Sequence, residues 1–241
     1  YIKDGSVIWN PGWQPSKTEL DFYECRHGLG YSRFLASKKG LRADVLTFIP
    51  VKDNCELTRL TLTNNTACPK TFSVFSYVEW CLWNADDDMK NFQRNLSIGE
   101  VETAGSVIFH KTEYRERRNH YAFYSVNMDI AGFDTSRDAF LGPYRGADCP
   151  EAVEQGACTN SIASGWSPIA SHQINLTLDP GESKTFLFVL GYVENPPQDK
   201  WESPGVINKK PAYAMLEKYA SEKDAEKAFD ELCLYWRTLL D

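Results

Sequence analysis

Ser171-His172-Gln173-Ile174-Asn175-Leu176-Thr177-Leu178, then Asp179-Pro180-Gly181-Glu182, then Lys184-Thr185-Phe186-Leu187-Phe188-Val189-Leu190-Gly191-Tyr192-Val193: this stretch decides the fold class. In the first run Ile174, Leu176 and Leu178 alternate with Gln173, Asn175 and Thr177. A period of two places apolar groups on one face of an extended chain and polar groups on the other. The last run is apolar almost without a break, the pattern of a strand covered on both faces. Asp-Pro-Gly-Glu between them is turn chemistry, because Pro presets one backbone angle and Gly accepts the next. One strand with a wet face, followed by one interior to a sheet, calls for two stacked layers.

Working outward, Ala43 to Pro50, Cys55 to Thr63, Thr71 to Trp80, Ser106 to Thr112 and Tyr121 to Asn127 are rich in Val, Ile, Phe, Tyr and Thr. Lys52-Asp53-Asn54, Asn64-Asn65 and Ala104-Gly105 separate them. Many strands punctuated by turns predict a mainly β protein built as a sandwich. Helical spacing enters only near the end. Ala212 to Ala220 suits a short helix. Ser221, with Asp224 three residues on, caps a longer one whose Ala225, Ala228, Phe229, Leu232, Tyr235, Trp236 and Leu239 form one apolar stripe. Asn195-Pro196-Pro197-Gln198-Asp199 suits a linker between the two regions. Asp129 to Gly165 is poor in strand signals and is expected to be a functional or packed surface loop.

Composition narrows the class. With 241 residues, 42% hydrophobic and 13% aromatic, the chain has ample material for a core. A net charge of −7 argues against a nucleic-acid partner, which would need clustered Lys and Arg. No apolar run approaches about 18 residues, so no membrane span is expected. Seven cysteines, an odd number with no CxxC pair, suggest neither a disulfide framework nor a zinc knuckle and fit a reducing cytoplasm. Asn64, Asn95 and Asn175 head glycosylation sequons, which in that compartment stay unmodified. The chain starts at Tyr1 and stops within a helical pattern at Tyr235 to Asp241, which suggests a fragment.

His27, His110, His120 and His172 are scattered, and neither Ser-His-Asp nor Cys-His chemistry finds support in their spacing. No metal site is expected. Gly28-Leu29-Gly30 lacks the strand-to-helix setting of a phosphate-cradling loop. Two segments stand out. Glu79 to Asn95 opens with Trp80 and Trp83, then runs through Asn84, three aspartates and Gln93 to Arg94. Aromatic faces cover the apolar side of a pyranose while amides and guanidinium bond its hydroxyls; a surface loop beside two core tryptophans fits equally. His110 to His120, with Tyr114, Arg115 and Arg117, is either a solvated hairpin or a substrate- or partner-facing loop. Trp9 and Trp13 sit in a turn that either exposes their rings or packs them on the sheet.

These residues carry a resemblance. Trp9 to Trp13, Tyr23-Glu24-Cys25-Arg26-His27-Gly28-Leu29-Gly30-Tyr31, Phe75 to Asn84, Asn91-Phe92-Gln93-Arg94-Asn95, His110 to Arg118 and Leu190 to Asn195 resemble the cellobiose phosphorylases, essentially from Tyr1 to Asp241. Cellodextrin and chitobiose phosphorylases belong to the same inverting group. The resemblance implies a large antiparallel β-sandwich over residues 1–205, lacking its first strands, and the start of a helical linker over 206–241. A catalytic (α/α)6 barrel would be missing. It implies inverting phosphorolysis of a β-linked disaccharide such as cellobiose, giving α-glucose 1-phosphate and glucose, with phosphate as substrate and no cofactor. The catalytic acid would lie in the barrel, so no catalytic residue is expected here and the fragment alone would be inactive. Arg94 and Gln93, with Asn84 more weakly, would bind the acceptor sugar; Tyr114, Arg115 and Arg117 would shape a loop or interface in a cytoplasmic homodimer. A sibling phosphorylase for cellodextrin or chitobiose, or a free-standing carbohydrate-binding module, are the alternatives.

Overall fold

The computed structural model describes residues 1–82, 98–113, 119–163, 165 and 167–240. Among these, the strands form two antiparallel sheets packed face to face. The smaller sheet contains β1 (Ile2–Asp4), β2 (Val7–Trp9), β7 (Lys70–Phe75), β8 (Val78–Glu79), β12 (Gly132–Ser136) and β13 (Pro168–Leu178), in the order β12-β13-β7-β1-β2 with β8 also on β13. The larger runs β3-β4-β5-β6-β14-β11-β10-β9. Its members are β3 (Phe22–Gly28), β4 (Tyr31–Lys38), β5 (Leu41–Phe48), β6 (Cys55–Asn64), β9 (Ile98–Ala104), β10 (Val107–Glu113), β11 (His120–Val126) and β14 (Ser183–Glu194). A short hairpin, β15 (Trp201–Ser203) and β16 (Val206–Ile207), leads to the final helices.

Strand β14 shows why the layers stack as they do. Phe186, Phe188 and Leu190 point into the core between the sheets with Leu60, Leu62, Ala122 and Tyr124. Leu187, Val189 and Val193 point the other way, against helices α3 (Lys210–Lys218) and α4 (Glu222–Leu240), where Ala212, Ala225, Ala228 and Leu232 are buried. Both faces of the strand are covered, as its unbroken apolar run requires. The Pro-Gly turn does not return β14 beside β13, however. Glu182 N–H donates to Asp179 O at 3.0 Å and Gly181 takes φ +75°, and the chain crosses to the opposite sheet. A wet-faced strand belongs to an outer layer and a two-sided strand to an inner one, so pairing them side by side would leave one face mismatched.

The wet face of β13 is shorter than its alternation suggests. Asn175 and Thr177 are exposed, but Gln173 is buried because the 129–165 region folds over it. That region contains β12 and two short helices, α1 (Arg137–Leu141) and α2 (Glu151–Gln155), whose Phe140, Leu141, Ala152 and Val153 pack on Phe75 and Ile169. It is therefore a packed layer, locally structured where an irregular loop was expected. Asp134 fastens it, accepting from the Thr159 and Ser161 hydroxyls at 2.6 and 2.7 Å.

The strand expected from Thr71 to Trp80 is interrupted at Ser76-Tyr77. There the Ser76 hydroxyl accepts from His172 N at 2.9 Å, yet register continues from Phe75 opposite Gln173 to Val78 opposite Ala170. Ser221 caps α4 as expected: its Oγ accepts from Asp224 N at 3.3 Å. The apolar stripe of α4 divides in two. Its first half is buried, while Tyr235, Leu239 and the neighbouring Leu234 and Leu240 are exposed. Of the turn tryptophans, Trp9 is fully buried and Trp13 exposed. None of the seven cysteines forms a disulfide among the described residues.

Candidate functional site at the open end of the sandwich

The two ends of the sandwich differ. At one, β6 and β14 meet the turn of the crossing connection. At the other lie the β5–β6 turn, the start of β9 and the ends of β10 and β14. Register brings the last of these together: Ile98 pairs with Glu113, His120 with Glu194, and Gly191 with Cys55. On the facing sheet, β8 delivers Trp80, Cys81 and Leu82 to the same end. A cavity of about 440 Å³ beside α4 is lined by Val51, Leu234, Tyr235 and Leu239; a larger one, about 720 Å³, opens between the sheets at this end. Glu56, Ala122, Leu190 and Tyr192 line one wall of the larger cleft, and Val78 to Leu82 the other.

Polar groups concentrate around this cleft. Trp80 is buried and stacks on His110, with ring centroids 5.4 Å apart and planes 22° apart. Burial pushes His110 down to about 3, and the neighbouring His120 adds to the effect, so its imidazole is neutral at pH 7. Neither Trp80 Nε1 nor His110 Nδ1 has a hydrogen-bond partner among the described residues. Buried polar atoms are normally satisfied, and their exceptions gather where a molecule has work to do. His120 Nδ1 lies 3.1 Å from the Tyr192 hydroxyl, which donates weakly to Glu194 at 3.4 Å. Glu79 is held by the Arg137 guanidinium at 2.9 Å and the Tyr77 hydroxyl at 2.5 Å. The Glu56 side chain makes no hydrogen bond to a described residue. It is open to solvent through the cleft mouth, yet desolvation by the surrounding walls raises its carboxyl above the ordinary carboxylate range.

This arrangement suits holding a polyhydroxylated ligand. A phenol, an aromatic wall and a carboxyl group supply both donors and acceptors to neutral hydroxyls. Among the described residues no group of three or more His, Cys, Asp or Glu comes together that could hold a metal ion.

The residues singled out for sugar binding, Arg94, Gln93 and Asn84, lie outside the described residues, as do Tyr114, Arg115 and Arg117. The described residues that flank them share one end of the sandwich: Leu82 and Ile98 bracket the first segment, Glu113 and Asn119 the second, and Ile98 pairs with Glu113. Sequence reasoning missed Glu56 and the part played by Tyr192. A signal existed. Glu56 shares its strand face with Leu60 and Leu62, and Tyr192 shares its own with Phe188 and Leu190, so each puts a polar group on a core-facing position. The spacing of the histidines gives no support for Cys-His chemistry, and the structure brings Cys25 Sγ within 3.2 Å of His27 Nε2.

Residues 1–222 match the family described as glycosyl hydrolase 94, supersandwich domain. A solabiose phosphorylase from Paenibacillus borealis is 31% identical over 234 residues, covering 93% of this chain and 30% of that protein. An N,N'-diacetylchitobiose phosphorylase from Vibrio proteolyticus is 32% identical over 191 residues, covering 78% of this chain and 24% of that protein. The chain thus spans less than a third of the length of these relatives. Among solved structures, a bacterial glucoamylase complexed with acarbose superposes with a TM-score of 0.51 at 14% identity, over 97% of this chain and 30% of that one. At that identity the likeness concerns the fold alone.

Proposed function

Because this chain belongs to the glycosyl hydrolase 94 supersandwich-domain family, we propose that it forms the sandwich of a glycoside phosphorylase and supplies one wall of that enzyme's acceptor-sugar site. One observation carries the proposal: residues flanking the two candidate segments lie at the same end of the sandwich, with Ile98 directly opposite Glu113 and Leu82 lining the cleft there. In this reading Arg94 and Gln93 donate hydrogen bonds to hydroxyls of the leaving sugar, with Asn84 beside them, and Tyr114, Arg115 and Arg117 border the site or a subunit interface. Phosphate attacks the anomeric carbon, and the general acid is an Asp of a separate (α/α)6 barrel. One acid suffices because phosphate is already a nucleophile. The parent protein is proposed to be a cytoplasmic homodimer. Residues 1–205 belong to its sandwich and 206–241 to the helical linker.

Cellobiose is the substrate we favour, on the resemblance of Asn91 to Asn95 and Phe75 to Asn84. The relatives favour a second reading, a sibling substrate such as N,N'-diacetylchitobiose. Phosphate-dependent release of sugar 1-phosphate by the full-length protein, compared across cellobiose, cellotriose, N,N'-diacetylchitobiose and solabiose, decides between them. Activity on none of the four would overturn the phosphorylase proposal. In the active protein, Arg94→Ala is expected to weaken acceptor use in synthesis by about 1–3 kcal/mol; unchanged acceptor KM and kcat would remove Arg94 from the site.

A further inference from the structure

Strand β3 ends the larger sheet, and none of its residues belongs to a core cluster. Phe22 and Tyr23 are 49% and 46% exposed. On this open strand, residues at i and i+2 share a face. Cys25 and His27 use that relation: Cys25 Sγ lies 3.2 Å from His27 Nε2. The other imidazole nitrogen, Nδ1, lies 2.8 Å from the hydroxyl of Ser32, the residue paired with His27 across the hairpin. The edge of Phe34, 6.2 Å away at 89°, limits rotation of the ring. With the proton on Nδ1 donated to Ser32 Oγ, Nε2 is left to accept from the thiol. Nucleophile, base and a third group that orients the base stand in sequence, the arrangement that activates a thiol.

We propose that Cys25 is a reactive thiol that exchanges with low-molecular-weight disulfides, with His27 as its base and Ser32 positioning the imidazole. In the exchange, the Cys25 proton passes to His27 Nε2 and the sulfur attacks one sulfur of the disulfide. A new S–S bond forms as the old one breaks. Cys25 is oxidised to a mixed disulfide, and the departing half, reduced to a thiolate, takes the proton back from His27 and leaves as a thiol. Two other cysteines serve as a contrast. Burial pushes the Cys55 thiol up to about 12 and raises Cys158 further, so both stay protonated and inert.

The test uses the full-length protein and glutathione disulfide, with adducts assigned by peptide mass mapping. Cys68 and Cys149, both exposed, are internal references. At pH 7 the adduct at Cys25 should form about tenfold faster than at either reference. His27→Gln should bring Cys25 down to the reference rate. Ser32→Ala should lower the rate by about two- to threefold. Continued absence of adduct at Cys55 and Cys158 reports that each variant is folded. Equal rates at all three cysteines in the natural sequence, or a His27→Gln protein whose Cys25 reacts as before, would overturn the proposal.

Discussion

The closed and open ends of the sandwich solve the same problem in opposite ways. At the closed end the side chain of Asn64 is fully buried. Its amide donates to Cys68 O at 2.8 Å and Leu178 O at 3.0 Å, and its carbonyl accepts from Thr66 N and the Thr66 hydroxyl at 3.0 and 2.7 Å. Its backbone N–H reaches Glu182 O, and its carbonyl takes Gly181 N–H. Every polar function of the residue is used, and it ties both sheets together. At the open end Trp80 Nε1 and His110 Nδ1 have no such partners among the described residues, and a carboxyl group faces the cleft. Asn64 spends its whole hydrogen-bonding capacity on holding shape, while Trp80 and His110 keep some of theirs beside the cleft.

The largest effect should come from the closed end. Asn64→Ala would strand several buried partners at once and lower the unfolding free energy by about 3 kcal/mol, read from the urea midpoint. A loss no greater than that of an exposed asparagine such as Asn175 would break the comparison. Next is Gly191. A Cβ there would come within 2.1 Å of the Phe123 ring, which lies across the strand from it. Gly191→Ala should cost about 1–3 kcal/mol, because that ring is buried and cannot swing away. A midpoint unchanged from the parent's would show that the cleft floor is softer than its packing suggests.

Acid sharpens the contrast. Burial lowers His110 to about 3 and His172 to about 4 from the ordinary 6.5, so the unfolded chain binds more protons than the folded one between those values. Stability contributed by the neutral rings is therefore fully present above about pH 6.5 and lost as pH falls toward 4 and then 3. His110→Gln should flatten the open-end share of that slope in urea titrations at pH 7, 5.5 and 4; an unaltered slope would exclude it. The smallest effect belongs to Glu56. A carboxyl raised in the folded state costs stability once ionised, above the unfolded value near 4.3, and costs nothing well below it. Glu56→Gln should thus stabilise slightly at pH 7 and make no difference at pH 3. Destabilisation at pH 7 would mean that its charge is paired.

Much of the fold was legible because β5, β6, β10, β11 and β14 carry dense apolar runs that only a two-layer β structure can bury. β3 and β4 escaped notice. Their Arg26, His27, Arg33 and Lys38 sit among Phe34 and Leu35 at the sheet edge, where burial is too slight to impose alternation. The crossing of β14 to the opposite sheet is invisible in a Pro-Gly turn, since the local backbone is the same for a hairpin and for an arch. At the site, composition marked Glu79 to Asn95 as unusual. It could not show that Glu56 and Tyr192, 136 positions apart by their numbers, share a cleft with it. That proximity is a product of register, which depends on partners far along the chain.

The arch at Asp179–Glu182 also bears on the order of assembly. It inserts β14 between β6 and β11, and the contact of Thr63 with Ser183 closes a separation of 120 residues. Until that late strand arrives, β6 and β11 are two bare ladders with nothing between them. Long-range closure of this kind is slow, and unpaired edges invite pairing with other chains while it is awaited. Nascent chains truncated before residue 183 should therefore be the most aggregation-prone species on the route to this sandwich.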